Sequence, residues 1–304
     1  MAEDINQETA WSLYWSQDRL HSCVASQNEE DQRLLDTEWA RFASSLSGGA
    51  RVLDLATGNG AVAKALLAAR DDLRIDAVDR ADIDPLNFLS DKGALHKVSF
   101  HPQTDILNLP FEGERFDAIS SQFGIEYAGL SEAGPLVGQL LKRDGKLLFF
   151  IHHAESELIL ASRQKKIELE QLVGEEGLLS TLQATLGGKL SFADLEQHGA
   201  KYLEGDFDQT QAVSGQVFKG IEQIISLLDS NVEQAHQLAA SMDLRVRSEY
   251  QRLCQMIKAA QTERSLSEFS ELMAETGITV DYGPLSIGQG QASYLLCWRI
   301  QGTK

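Results

Sequence analysis

Cysteine, basic charge and long apolar runs are all scarce in this chain, and each shortage excludes something. Its three cysteines, Cys23, Cys254 and Cys297, are odd in number and far apart, with no CxxC pair and no Cys/His spacing of the zinc type. A disulfide framework is therefore excluded, and a reducing compartment is expected. Lys and Arg total 27 against 45 Asp and Glu, for a formal charge of -18. A surface this acidic repels phosphate backbones, which need a basic stripe to displace their counterions. The densest basic runs, at 163–166 and 142–146, are short and read as solvated helix or turn faces. No nucleic-acid partner is expected. No apolar run approaches the roughly 20 residues that span a bilayer. The first residues are acidic and lack the apolar stretch of a secretory signal. No membrane partner is expected either, and the reading is a cytoplasmic protein.

What is present is globular in character: 43% hydrophobic and 24% charged residues in a chain of 304. That suffices for one large domain or a core with a sizeable elaboration. Residues 8–46 read as two or more helices, with Leu35, Trp39, Phe42 and Leu46 at helical spacing. Strands at 51–55, 74–78, around 97–100, at 116–120 and at 146–151 then alternate with helices over 61–70, around 84–91 and near 132–142. That alternation predicts an α/β fold with a doubly wound, mostly parallel sheet. From Glu155 to Arg264 only helical stretches are evident. Their apolar stripes are Val217, Ile221, Ile224, Ile225 and Leu228, then Val246, Tyr250, Leu253 and Ile257. A helix over 265–276, closed by Gly277, leads to strands at 278–282 and 293–300. This terminal hairpin is expected to add an antiparallel strand to the sheet.

The most informative segment is Val52-Leu-Asp-Leu-Ala-Thr-Gly-Asn-Gly-Ala-Val-Ala63, a small-residue turn between the first strand and a helix. Glycines there let the backbone touch a ligand, and the helix amides offer donors. Taken alone, this turn leaves two cofactors open. Gly58-Asn-Gly-Ala-Val-Ala63 also satisfies the dinucleotide pattern GxGxxA, with Asp79 placed where an acid would hold a ribose. A nicotinamide-dependent oxidoreductase is therefore an alternative. Three features weigh against it: Asp54 inside the first strand, the run Asp105-Ile-Leu-Asn-Leu-Pro-Phe111, and the fourth strand with its exit, Phe116-Asp-Ala-Ile-Ser-Ser-Gln-Phe-Gly124.

With these segments the chain resembles the class I S-adenosylmethionine-dependent methyltransferases, particularly the branch around the quinone-biosynthesis C-methyltransferases. The resemblance covers 51–151 strongly and 265–300 more weakly. It implies a Rossmann-like core over 51–154 and 265–304 and N-terminal helices over 1–50 that cover the cofactor; the strandless stretch over 155–264 reads as a helical insertion within that core. It implies S-adenosyl-L-methionine as cofactor. The methionine part would lie against Asp54, Ala56, Gly58 and Gly60, and the ribose on Asp79. The adenine would lie by Asp105 and Ile106. Ala56 departs from the glycine that many members carry. Arg80, after the ribose acid, departs from the usual small residue; it is placed beside the cofactor, as is Gln122 at the end of the fourth strand. Tyr14 and Trp15, in the cluster Trp11-Ser-Leu-Tyr-Trp15, are candidates to cover the sulfonium by cation–π contact, or to anchor the leading helix on the core.

The acceptor side should lie beyond the fourth and fifth strands. Glu126 there is a candidate base or binder of a cationic acceptor, with Tyr127 a packing residue. His152 and His153 follow the fifth strand, and an imidazole suits proton removal from a hydroxyl or amine. Reading the histidines with Glu155 or Glu157 as metal ligands lacks a further ligand set, so no metal is expected. The chain has neither the Asn/Asp-Pro-Pro-Tyr motif of adenine- or glutamine-directed enzymes nor the Pro-Cys pair of cytosine C5 enzymes. The expected activity is methyl transfer to an O or N atom of a small metabolite, with His152 and Glu126 as the catalytic candidates. C-methylation of a quinone-like ring and a non-catalytic scaffold are the remaining alternatives. The insertion is expected to cap a small substrate, to form a homodimer surface, or both.

Overall fold

The computed structural model describes residues 7–22, 29–204, 212–288 and 293–304; Cys23 lies outside them. Among the described residues the chain divides into two compact units. One runs up to Ala10 and takes in Ala161–Cys254; the other comprises Trp11–Leu160 and Gln255–Lys304.

The second unit is built on a seven-stranded sheet. Its strands are β1 (Arg51–Leu55), β2 (Arg74–Val78), β3 (Ser99–His101), β4 (Phe116–Gln122), β5 (Leu141–Ile151), β6 (Thr279–Ile287) and β7 (Tyr294–Thr303). Their order is β3-β2-β1-β4-β5-β7-β6. β1 to β5 pair in parallel, whereas β7 runs antiparallel to both β5 and β6. The expected doubly wound sheet with an antiparallel C-terminal hairpin is therefore what forms. Val52, Leu53, Leu55, Ala118, Ile119 and Leu147 to Ile151 are almost wholly buried, as strands covered on both faces require. The covering helices include α2 (Glu29–Ser44), α3 (Ala61–Ala69), α5 (Leu130–Leu140) and α11 (Glu263–Glu275), with a short α4 at Pro85–Phe88 and the last residues of α1 (Gln7–Trp15).

Register aligns the ends that matter. Leu55 pairs with both Val78 and Ser121, and Gln122 pairs with Phe150. The exits of β1, β2, β4 and β5 therefore open side by side at one edge. Local chemistry shifts several expected boundaries. The helix expected over 84–91 stops at Phe88, because Leu89 turns extended and the Asp91 side chain caps Gly93 instead. β6 continues through Gly283 and Pro284 to Ile287. It is the edge strand, where alternate N–H groups face away from the ladder and proline is tolerated.

The first unit is helical: α6 (Glu157–Val173), α7 (Leu178–Leu186), α8 (Phe192–Glu204), α9 (Ala212–Leu228) and α10 (Val232–Ala259) supply its described residues beyond α1. A buried polar knot ties three of these helices. The Glu168 carboxylate accepts from Ser214 N at 2.8 Å and Ser214 Oγ at 2.5 Å, and Tyr202 Oη shares a bond with Ser214 Oγ at 2.9 Å. Of the expected stripes, Val217, Ile221, Ile224, Val246 and Leu253 are buried. Ile225 faces outward, and Met256 takes the inward position beside Ile257. None of the described helices is long and apolar enough to cross a membrane.

Candidate functional site

The turn after β1 is held from beneath by two buried carboxylates. Asp54 is fully buried and accepts from Thr57 Oγ1 at 2.6 Å and Ser120 Oγ at 2.8 Å. Burial pushes its carboxyl up to about 7, against the pull of the two hydroxyls. Asp79, just past β2, accepts from Gly58 N at 2.7 Å and Ala81 N at 2.8 Å. Burial raises it to about 6, opposed by those two amides. Asp79 thus clamps the glycine turn to the exit of β2. Each of its oxygens keeps a further lone pair for a ligand hydroxyl.

The backbone of the turn is left-handed at Ala56, Gly58 and Gly60. Two of these are glycine; Ala56, at φ 52°, is not. A Cβ in that region costs roughly 1–2 kcal/mol. Ala56→Gly should therefore raise the thermal midpoint, by about 0.5–1 kcal/mol of stability after the added freedom of the unfolded chain is deducted. A lower midpoint in a thermal melt would show that the Ala56 methyl contributes more by packing than it costs in strain.

Over the turn lies the segment Trp11–Ser22. Trp15 is 6% exposed and packs with Ala81 and Ile83, in a cluster that Trp11, Tyr14 and Phe100 complete. A Cβ placed on Gly58 would meet the Trp15 ring at 2.3 Å, so only glycine fits beneath it. Asn59, wholly buried, donates through Nδ2 to Trp15 O at 2.9 Å and Arg19 O at 2.8 Å. Tyr14 turns the other way: its hydroxyl donates to His21 O at 3.2 Å, and the Arg19 guanidinium sits 4.9 Å from its ring centre.

Other expected cofactor residues are placed as follows. Asp105 caps the turn that follows it, accepting from Leu107 N at 2.9 Å, and lies 3.8 Å from Nη1 of the exposed Arg80. Ile106 is buried in the main core cluster. The Gln122 side-chain Oε1 accepts from Trp39 Nε1 at 2.7 Å, which ties the end of β4 to α2.

On the acceptor side the two catalytic candidates meet. Glu126 Oε1 accepts from His152 Nδ1 at 2.6 Å and from the His152 backbone N at 3.0 Å, with both side chains fully buried. With the proton on Nδ1 donated to this carboxylate, Nε2 is the basic nitrogen of the ring. Phe123, at 4.8 Å, and Tyr127, edge-on at 5.8 Å, hold the ring plane. Glu126 Oε2 is buried without a hydrogen-bond partner. His153 serves the fold: it stacks on Trp298 at 4.2 Å, and its Nδ1 accepts from Glu155 N.

The two halves adjoin. Gly124 crosses so close to Ala56 that a Cβ on it would lie 2.4 Å from the Ala56 methyl, and Ser121 Oγ donates to Leu55 O. Trp11 reaches both sides, 6.3 Å from Trp15 and 5.5 Å from Tyr127, and donates through Nε1 to Gln255. Sequence reasoning had no signal for Asn59, Thr57 or Ser120 beyond their place near the turn. Trp11 was visible only as one member of an aromatic cluster.

No family model matches the chain, and no curated protein matches it. Solved structures do. A candidate sarcosine dimethylglycine methyltransferase from Galdieria sulphuraria shares 12% identity over 97% of this chain and 98% of its own, with a TM-score of 0.42. The YcgJ protein of Bacillus subtilis shares 18% identity over 90% and 98%, at 0.39. An S-adenosylmethionine-dependent methyltransferase of Mesorhizobium loti shares 20% identity over 38% of this chain, at 0.32; the chain spans only 52% of that protein's length. These are low overall likenesses, and the chemistry of the site rests on its own residues.

Proposed function

We propose that this chain is a class I S-adenosylmethionine-dependent methyltransferase that methylates an O or N atom of a small molecule. The observation that carries the reading is the buried His152–Glu126 pair at the sheet edge, next to a glycine turn clamped by an acid after β2. The residues fit the cofactor. With no Cβ at Gly58, another group can approach the turn backbone closely, as the Trp15 ring does. Asp79 offers two acceptor oxygens where a ribose diol would lie, and Asn59 Oδ1 is buried without a partner. The antiparallel β7 between β5 and β6 departs from the six-stranded 3-2-1-4-5-6 order of dinucleotide-binding domains. That departure weighs against the nicotinamide reading.

When bound, the cofactor supplies a methyl group on a positively charged sulfur. The protein's part is placement and proton removal. Asp79 and the backbone of the turn orient the nucleoside. His152 Nε2 would take the proton from the acceptor hydroxyl or amine, which frees that atom's lone pair for the transfer. Glu126 acts through His152: it fixes the tautomer and stabilises the imidazolium that results, so it is a positioning residue. The buried aromatic surroundings keep water from the reacting atoms.

Calorimetric titration with S-adenosylhomocysteine, run beside NAD(H) and NADP(H), tests the cofactor. Micromolar binding of the first alone is expected. Binding of a nicotinamide alone, or failure of both the folded wild type and its Trp15→Ala variant to bind anything, would overturn the reading.

A further inference from the structure

We propose that the strap Trp11–Ser22 is a built-in competitor for the nucleoside slot, and that cofactor entry requires Trp15 to leave it. This inference rests on reading that slot as an S-adenosylmethionine site. The first support is space. The Trp15 ring lies 2.3–2.6 Å from where a Cβ on Gly58 would stand, so ring and backbone are in direct contact and no further group fits between them. The same ring packs on Ala81 and Ile83, the residues that follow the ribose acid. The indole thus stands on the turn backbone and beside the residues after Asp79, surfaces that the cofactor would have to reach.

The second support is the way the strap is tied down. Its inner ties come from the glycine turn itself: Asn59 spends both protons of its amide on Trp15 O and Arg19 O. A turn residue thus binds the protein's own main chain. Its outer ties include the Trp11 Nε1 bond to Gln255 and two weak ones at the surface. Ser12 Oγ accepts from Asp82 N at 2.9 Å, and Asp18 Oδ1 accepts from Ser90 N at 3.0 Å. Solvent-exposed bonds of this kind contribute little net stability, because water replaces them on opening.

The third support is reach. Trp11 lies against Tyr127, which in turn lies edge-on to His152. Lifting the strap would uncover the cofactor slot and the acceptor side in one movement, so the enzyme is closed until a nucleoside pays for opening. Apparent affinity is then the intrinsic affinity reduced by the open fraction. Loosening the strap should restore it.

The test compares wild type, Trp15→Ala and the double variant Ser12→Ala/Asp18→Ala. The last cuts the two surface ties without touching the slot. S-adenosylhomocysteine is titrated into each, and hydrogen exchange of the strap is followed with and without it. Both variants should bind about tenfold tighter than wild type, and ligand should deprotect the strap in the wild type. Binding by the loosened variants alone supports the proposal equally. Equal or weaker binding by the variants, or a strap that becomes more protected with ligand, overturns it and makes the strap a cover; the proposed activity then stands. Failure of all three folded proteins to bind overturns the methyltransferase reading, and the competitor with it.

Discussion

Replacing His152 with alanine should lower turnover by about 10²-fold or more, with S-adenosylhomocysteine affinity within about twofold of wild type. The argument is geometric. His152 is the imidazole at the exit of β5 whose Nδ1 is committed to Glu126, which leaves Nε2 to take a proton. The alanine variant also strands a buried carboxylate with only the His152-position backbone amide as donor, and so risks the fold. His152→Gln guards against that, since its amide N–H can still donate to Glu126 while offering no basic nitrogen. Glu126→Gln should lower kcat while leaving KM and cofactor affinity nearly unchanged, because it acts through His152. Turnover with labelled methyl donor, on an acceptor found by screening, reads all three. A full-speed His152→Gln enzyme would remove the base from the mechanism and favour an acceptor that arrives already deprotonated.

The difference between what was legible and what was not follows from the range of the interactions. The sheet could be read because each strand carries its signal locally. Val52 and Leu53 are part of a near-continuous apolar run that ends at glycines, as a strand buried on both faces must be. Asp79 and Asp105 were visible for the same reason, as acids at strand ends. Glu126 and His152 were each visible as titratable groups near a strand exit, but they are 26 residues apart, and only folding reveals that they are one unit. Gln122 shows the limit more sharply. Its strand-end position suggested a ligand, and no local signal pairs its side-chain Oε1 with Trp39, 83 residues away on α2. Pro284 misled in the opposite direction: it reads as a turn, whereas an edge strand tolerates it. The aromatic strap fell between these cases, since Trp11-Ser-Leu-Tyr-Trp15 reads equally well as a cover or an anchor until Gly58 is seen beneath Trp15.

Removing the Asp79 carboxylate should weaken S-adenosylhomocysteine binding by about 10²-fold or more, and the wild-type affinity should itself depend on pH. In Asp79→Ala a ribose diol loses its acceptors, and the amides of Gly58 and Ala81 lose theirs, so the turn that receives the ligand is loosened as well. Each stranded buried donor costs about 1–3 kcal/mol. The pH dependence follows from burial, which holds Asp79 up at about 6. Ligand hydroxyls donate to the ionised form and favour it, so binding draws the carboxyl down and releases a proton. Affinity should therefore rise through pH 6 and level off above it, being about tenfold weaker at pH 5 than on the plateau. The same shift acts on the ligand-free fold with the opposite sign. A carboxyl whose folded value lies above its unfolded one gives stability that is complete below about pH 4 and is lost as pH rises through 6. Ligand should thus raise the melting temperature more at pH 7.5 than at pH 5, and Asp79→Asn, which cannot ionise, should flatten that difference. A wild-type affinity that stays constant from pH 5 to 7.5 would mean that the ribose hydroxyls are held elsewhere and that Asp79 serves the turn alone.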